Sequence, residues 1–207
     1  MSAPEPSIDE IRAAVAQVVG QLTDGAPRAS AAHGPHDGAE PSATGDGEAG
    51  QSWPLTSLAI GADHGGYALK ETLAADLRDR GLTVRDCGTR STESVDYPDL
   101  AHAVAQLVSA GEVQVGIVID GAGIGSAMAA NKVPGVRAAT CWDVSSARNS
   151  REHNYANVLS IGAGLLGENL AREVVDAWLT TPTGAARHGR RVTKIMQIEQ
   201  RYGTGRT

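Results

Sequence analysis

Residues 117–126, Ile-Val-Ile-Asp-Gly-Ala-Gly-Ile-Gly-Ser, constrain the fold more than any other stretch of the chain. An apolar, strand-like run ends in a carboxylate, Asp120, and Gly121, Gly123 and Gly125 then lead into a helix. A loop of this kind turns several backbone N–H groups toward one point, which suits an anion or an oxygen that gains negative charge. Glycines also serve tight turns in many folds, so the loop takes its meaning from what surrounds it.

The surroundings alternate. Short buried strands are expected at Leu58–Ala62, Leu82–Asp86, Val113–Ile119, Val136–Thr140 and Asn157–Ile161. Helices are expected between and after them, over Gly66–Arg80, Asp99–Ser109, through Ala130, over Val144–Arg151 and over Glu168–Leu179. Five strands alternating with helices predict an α/β fold: a Rossmann-like, five-stranded parallel sheet covered by helices in three layers. Ligands then belong at the C-terminal ends of the strands. Asp63 and His64, Asp120 with its glycines, and Cys141 to Asp143 fall there. The last segment, Ala185 to Tyr202, places Arg187 and Arg191 four residues apart on one helical face, an arrangement suited to a phosphate or to a solvated basic helix end.

Residues 1–22 form a separate unit. Ser7 and Glu10 fit a capping box, and Ile8, Ile11, Val15, Val18 and Leu22 recur at helical spacing. Residues 23–54, rich in Gly, Ala, Pro and Ser, read as a flexible linker. The amphipathic helix is expected either to pack on its own domain, residues 55–207, or to dock on another protein, because an isolated helix of this length is marginal in water. The formal net charge of −6 on 207 residues argues against nucleic-acid and membrane surfaces. No apolar run reaches spanning length. Cys87 and Cys141 form no close-spaced metal or redox pair, so a reducing cytoplasm is the default.

Asp63-His64-Gly65-Gly66-Tyr67, Cys87-Gly88-Thr89, Asp96-Tyr97-Pro98-Asp99, Ala129-Ala130-Asn131-Lys132, Arg151-Glu152-His153-Asn154 and Arg187-His188 with Arg191-Val192 together resemble the ribose-5-phosphate isomerase B family, which includes galactose-6-phosphate isomerase subunits. The resemblance runs from about Ile60 to Tyr202. It implies aldose–ketose isomerisation of a small phosphorylated sugar of four to six carbons through an enediolate, without metal or organic cofactor. It also implies homodimers or homotetramers with shared active sites, and a C-terminal helix docking on the partner. By the same resemblance His153 helps open the sugar ring, while Asn131 and Asn154 position the substrate. Asp63, His64 and Tyr97 line the pocket, Arg187 and Arg191 bind the phosphate, and the amides of Gly121, Gly123 and Gly125 stabilise the enediolate. Residues 1–22 resemble the peptides that recruit cargo to the shell of a bacterial microcompartment, a location that would coexist with the activity.

The chain departs from the family pattern within one pocket. Asp120 stands where most members place a catalytic Cys, and a second branch takes its base from a Glu where this chain has Ser126. Ala122 replaces a hydroxyl residue, and Gly164 a phosphate-binding arginine. Two expectations follow for Asp120. It serves as the base, its carboxyl raised by burial at an apolar strand end, or it bonds the loop amides. In the second case a catalytically weakened homologue, binding a sugar phosphate or a protein partner, competes with the isomerase reading.

Overall fold

The computed structural model describes residues 55–203; the expected helix at 1–22 and linker at 23–54 lie outside them. Five strands, β1 (Ser57–Ala62), β2 (Thr83–Asp86), β3 (Val115–Asp120), β4 (Ala138–Thr140) and β5 (Val158–Gly162), form one sheet in the order β2-β1-β3-β5-β4. Every pairing is parallel. Six helices accompany them: α1 (Tyr67–Asp79), α2 (Tyr97–Ser109), α3 (Ile124–Ala130), α4 (Val144–Asn154), α5 (Glu168–Thr180) and α6 (Ala186–Gly203). The expected α/β architecture is present, with each boundary displaced by at most a few residues.

Alternation along the strands divides the core. Leu58, Ile60, Ile117, Ile119, Leu159 and Ile161 cluster with Leu73 and Leu77 of α1, Ala147 of α4 and Trp178 of α5. Ala59, Val118 and Val158 cluster on the other face with Val104, Ala105 and Val108 of α2 and Ala130 of α3. Two layers of helices thus enclose the sheet, and a chain without Phe fills both interfaces with aliphatic side chains. The second face is floored by very small residues. A Cβ added at Gly116 would lie 2.5 Å from Val104 Cγ1, and one at Gly61 2.8 Å from Val104 Cγ2, so α2 rests almost on backbone.

Two local features carry residues of interest. Asp143 caps α4 by accepting the Ser146 N–H at 2.7 Å, and Ser146 returns a hydroxyl contact to the Asp143 N–H, a capping box that fixes where the helix begins. Its end is one turn later than expected from sequence. The Tyr155 N–H reaches Arg151 O and the Ala156 N–H reaches Ser150 O, with Tyr155 at φ +53° closing the helix. His153 and Asn154 therefore belong to the last turn of α4 rather than to the loop beyond it. Arg151 anchors that turn from inside: fully buried, it donates from Nη1 to Ala156 O at 2.7 Å and lies 4.8 Å over the Trp178 ring. Burial, reinforced by Arg137, lowers its pKa to about 10, which still leaves it charged at neutral pH.

Candidate active site

Chain connections leave β1 and β3 in opposite directions, β1 toward β2 and β3 toward β5 and β4. Adjacent parallel strands whose connections diverge leave a crevice beyond their C-terminal ends. The segments 63–66 and 120–126 meet in it: a Cβ on Gly65 would sit 3.4 Å from Asp63 Oδ1 and 3.8 Å from the Gly121 nitrogen.

Asp120 organises the second segment. Its Oδ1 accepts the N–H groups of Ala122, at 2.8 Å, and Gly123, and its Oδ2 accepts that of Ser126 at 2.9 Å. The Ser126 hydroxyl adds a further bond. Burial alone would raise this carboxyl, which is 5% exposed, but the Ser126 hydroxyl and the Ser126, Gly123 and Ala122 amides outweigh it and hold the pKa below the ordinary 3.8. The expected rise through desolvation is therefore corrected: the donors are supplied by the loop that the carboxylate itself terminates. A carboxylate so held is a weak base, and its visible task is to hold the loop. Gly123 gives its N–H to Asp120, so one of the three expected glycine amides is engaged within the loop itself.

Further contacts pin the loop from below. The Gly123 carbonyl accepts the hydroxyls of Ser160, at 2.5 Å, and Thr140, at 3.0 Å. The Ala163 and Gly164 N–H groups reach Asp120 O and Gly121 O at 2.8 and 2.9 Å. A Cβ at Gly164 would come within 2.9 Å of that same Gly121 oxygen, so a side chain there would require the loop to shift. Ser160 and Thr140 were missed from sequence; the period of two along β5 could have flagged Ser160 as a polar group facing inward.

The residues expected around the crevice are distributed as follows. Asp63 is buried and accepts the Gly66 N–H at 3.0 Å. His64 is exposed, and its Nδ1 accepts the Val95 N–H at 3.3 Å, so the neutral ring carries its hydrogen on Nε2. Tyr97, at the start of α2, lays its ring against Gly125, where an added Cβ would be 2.5 Å from Tyr97 Cζ and 2.7 Å from its hydroxyl. These three and the loop form one cluster. Asn131 donates from its amide nitrogen to Ala138 O at 2.9 Å and accepts the Ala138 N–H on its amide oxygen at 2.8 Å, tying the end of α3 to β4.

A second cluster lies where α4 meets α6. His153 stacks on His188 with centroids 4.1 Å apart, and Arg187 donates from Nε to His188 Nε2 at 3.2 Å. Arg187 and Arg191 are exposed on α6, as their spacing implies, and His188 between them is buried. Asn154 lines a cleft of about 510 Å³ together with Thr140, Cys141, Ser146 and Asn149. Burial pushes the Cys141 thiol up, so it is a packed, protonated side chain. Among the described residues no hydrogen bond or ring contact joins Asp63, His64 or Tyr97 to His153, Arg187 or Arg191. None of them groups three metal-ligating side chains either, and no described helix is long and apolar enough to cross a membrane.

An open parallel sheet with a glycine turn at its switch point, histidines, and a pair of exposed arginines defines a class of phosphate-handling α/β proteins. The sequence profile described as Ribose/Galactose Isomerase matches residues 58–195, and the chain belongs to that family. Ribose-5-phosphate isomerase B of Escherichia coli (strain K12) is 46% identical over 147 residues, covering 71% of this chain and 99% of the relative. D-erythrulose-4-phosphate isomerase of Pectobacterium atrosepticum is 40% identical over 146 residues, 70% of this chain and 96% of the relative. The solved structure of ribose-5-phosphate isomerase B from Clostridium thermocellum shares 50% identity at a TM-score of 0.70, covering 71% of this chain and 99% of that one.

Proposed function

We propose that the protein interconverts an aldose phosphate and a ketose phosphate of four or five carbons through an enediolate. The observation that carries this reading is the convergence, at the β1/β3 switch point, of His64, Tyr97 and a glycine turn held rigid by Asp120. Isomerisation moves a proton between adjacent carbons while charge builds on an oxygen, so it needs donors already aimed at that oxygen. The Gly121 and Gly125 amides and the His64 ring suit that task. Arg187 and Arg191 suit the phosphate, whose binding energy holds the reacting end in place. Named activities of the relatives on ribose 5-phosphate and D-erythrulose 4-phosphate bracket the substrate size.

The separation of the two clusters within one chain supports a site completed by a second copy, the first cluster from one subunit and the α4–α6 cluster from the other. Co-expression of His64→Ala with His153→Ala tests this. Each variant alone is expected to be inactive, and random pairing is expected to restore about one quarter of the wild-type sites, since half the dimers are mixed and each has one intact site. Absence of any restoration would mean that each chain holds a whole site.

The state of Asp120 favours one alternative, a weakened homologue that binds sugar phosphate without turnover. Incubation with ribose 5-phosphate or erythrose 4-phosphate in deuterated water separates the two. Product, with deuterium at the carbon that exchanges its proton, is expected from the isomerase. Binding with neither product nor exchange would sink the isomerase reading.

A further inference from the structure

Tyr155 breaks a local rule. It closes α4 at φ +53°, the left-handed conformation in which a helix end ordinarily places glycine or asparagine, and an aromatic residue there is strained. Such a residue persists where its surroundings hold it. Here the surroundings are the connection from α5 to α6, residues 181–185, and the first turn of α6. The Tyr155 hydroxyl donates to Gly184 O at 2.9 Å, with Ala185 O 3.4 Å away. The Gly184 N–H reaches Glu152 O at 2.9 Å, and a Cβ on Gly184 would lie 2.5 Å from that same oxygen, so the connection runs flush against the end of α4. One turn into α6, a Cβ on Gly189 would lie 3.4 Å from the Tyr155 hydroxyl and 3.8 Å from the edge of its ring. Gly189 stands midway between Arg187 and Arg191. The Tyr155 carbonyl is held in turn: it accepts from Arg137 Nε at 3.0 Å, and Arg137 Nη1 reaches Met196 Sδ, further along α6, at 3.5 Å.

Resting on the reading above, in which Arg187 and Arg191 take the phosphate, we infer that Tyr155 is a positioning residue for that phosphate: its ring and hydroxyl set where α6 begins and how the two arginines stand against the end of α4. Both arginines are exposed, so where they meet a phosphate depends on how firmly the helix beneath them is held. The His188–His153 stack and the buried Val192 tie down the body of α6, while Tyr155 and the Gly184–Glu152 bond secure its entry. With the entry freed, the helix would spend part of its time with the guanidinium pair displaced, and apparent affinity falls in proportion to the competent fraction. Phosphate is gripped alike before and during the reaction, so the loss belongs to KM rather than to kcat.

Tyr155→Phe removes the hydroxyl and keeps the ring and the backbone. A neutral hydrogen bond is worth about fivefold in an equilibrium constant. KM for ribose 5-phosphate, and the dissociation constant of inorganic phosphate titrated into the full chain, are therefore each expected to rise about fivefold, with kcat within about twofold of wild type. Arg191→Ala, which locates the probe, is expected to abolish phosphate binding. Tyr155→Asn suits the left-handed backbone but is too short to reach Gly184 O; it serves should the Phe variant fail to fold, and its phosphate affinity is expected to fall at least as far. Unchanged phosphate affinity in Tyr155→Phe, a fall in kcat at constant KM, or wild-type affinity in Tyr155→Asn would each overturn the inference. So would a wild-type protein that binds no phosphate, or binding that survives Arg191→Ala. Should the wild type bind phosphate yet turn over neither ribose 5-phosphate nor erythrose 4-phosphate, the isomerase reading falls, and the phosphate titrations alone decide the role of Tyr155.

Discussion

Asp120→Ala is expected to destabilise the domain by about 3 kcal/mol or more, a fall in Tm of about 10 °C, and to remove most turnover. The substitution strips the acceptor from three N–H groups, those of Ala122, Gly123 and Ser126, the last two in buried bonds. Each buried donor left unmet costs roughly 1–3 kcal/mol. Thermal unfolding followed by circular dichroism checks it. A carboxylate that acted only as a base would leave Tm unchanged on replacement, so an unaltered Tm would contradict the bonding described. The pH dependence carries a sign. The folded carboxyl is held below 3.8, so its stabilising contribution is complete above the unfolded pKa and is lost as pH falls through the folded one. The gap in Tm between wild type and Asp120→Ala should therefore be flat from neutral pH down to about 4 and close below that.

Gly123→Ala is expected to cost about 3 kcal/mol and to lower kcat/KM by about a hundredfold or more, through two separate effects. Gly123 sits at φ +76°, a region that costs a residue with a Cβ roughly 1–2 kcal/mol. The added methyl would also lie 2.8 Å from the Ile161 carbonyl carbon and 3.0 Å from the Gly162 nitrogen. Those atoms belong to the end of β5 and cannot move aside as a flexible side chain would. The loop must shift instead, carrying the Gly121 and Gly125 amides with it. Gly121→Ala is the matched control: nothing lies within 4 Å of its Cβ and its φ is not positive, so stability should change by less than about 1 kcal/mol. Equal losses in the two variants would show that loop sterics are not the cause.

The sheet and its helices were legible because Leu58–Ala62, Val115–Ile119 and Val158–Ile161 are apolar runs bounded by glycine or polar residues, a pattern that leaves little choice of element. The end of α4 was not. Sequence ends the helix at Arg151, yet a buried guanidinium bound to Ala156 O and a left-handed Tyr155 carry it to Asn154, and no local propensity announces either contact. Asp120 was singled out by its place after a strand, but the direction of its pKa depended on which donors the following turn would aim at it. Asn131 illustrates the reverse case. A motif drew attention to it, but its two bonds to the Ala138 backbone become visible only in the fold. His188 and Asn149 were both readable in principle, one beside Arg187 and the other four residues before His153, but their contacts with His153 appear only in three dimensions.

The glycines beneath α2 have a consequence for how such a pocket could change. Where Val104 meets Gly61 and Gly116, the close approach of α2 to the sheet is set by backbone, and Tyr97 at its first turn inherits that height over Gly125. The width of the crevice mouth is thus a dimension of the core rather than of the loops. A single methyl group introduced at either of those glycines would act as a shim, lifting the helix and its tyrosine together. Substrate length could then drift within the family through substitutions that never touch the substrate, and a search for specificity determinants confined to the pocket lining would pass over them.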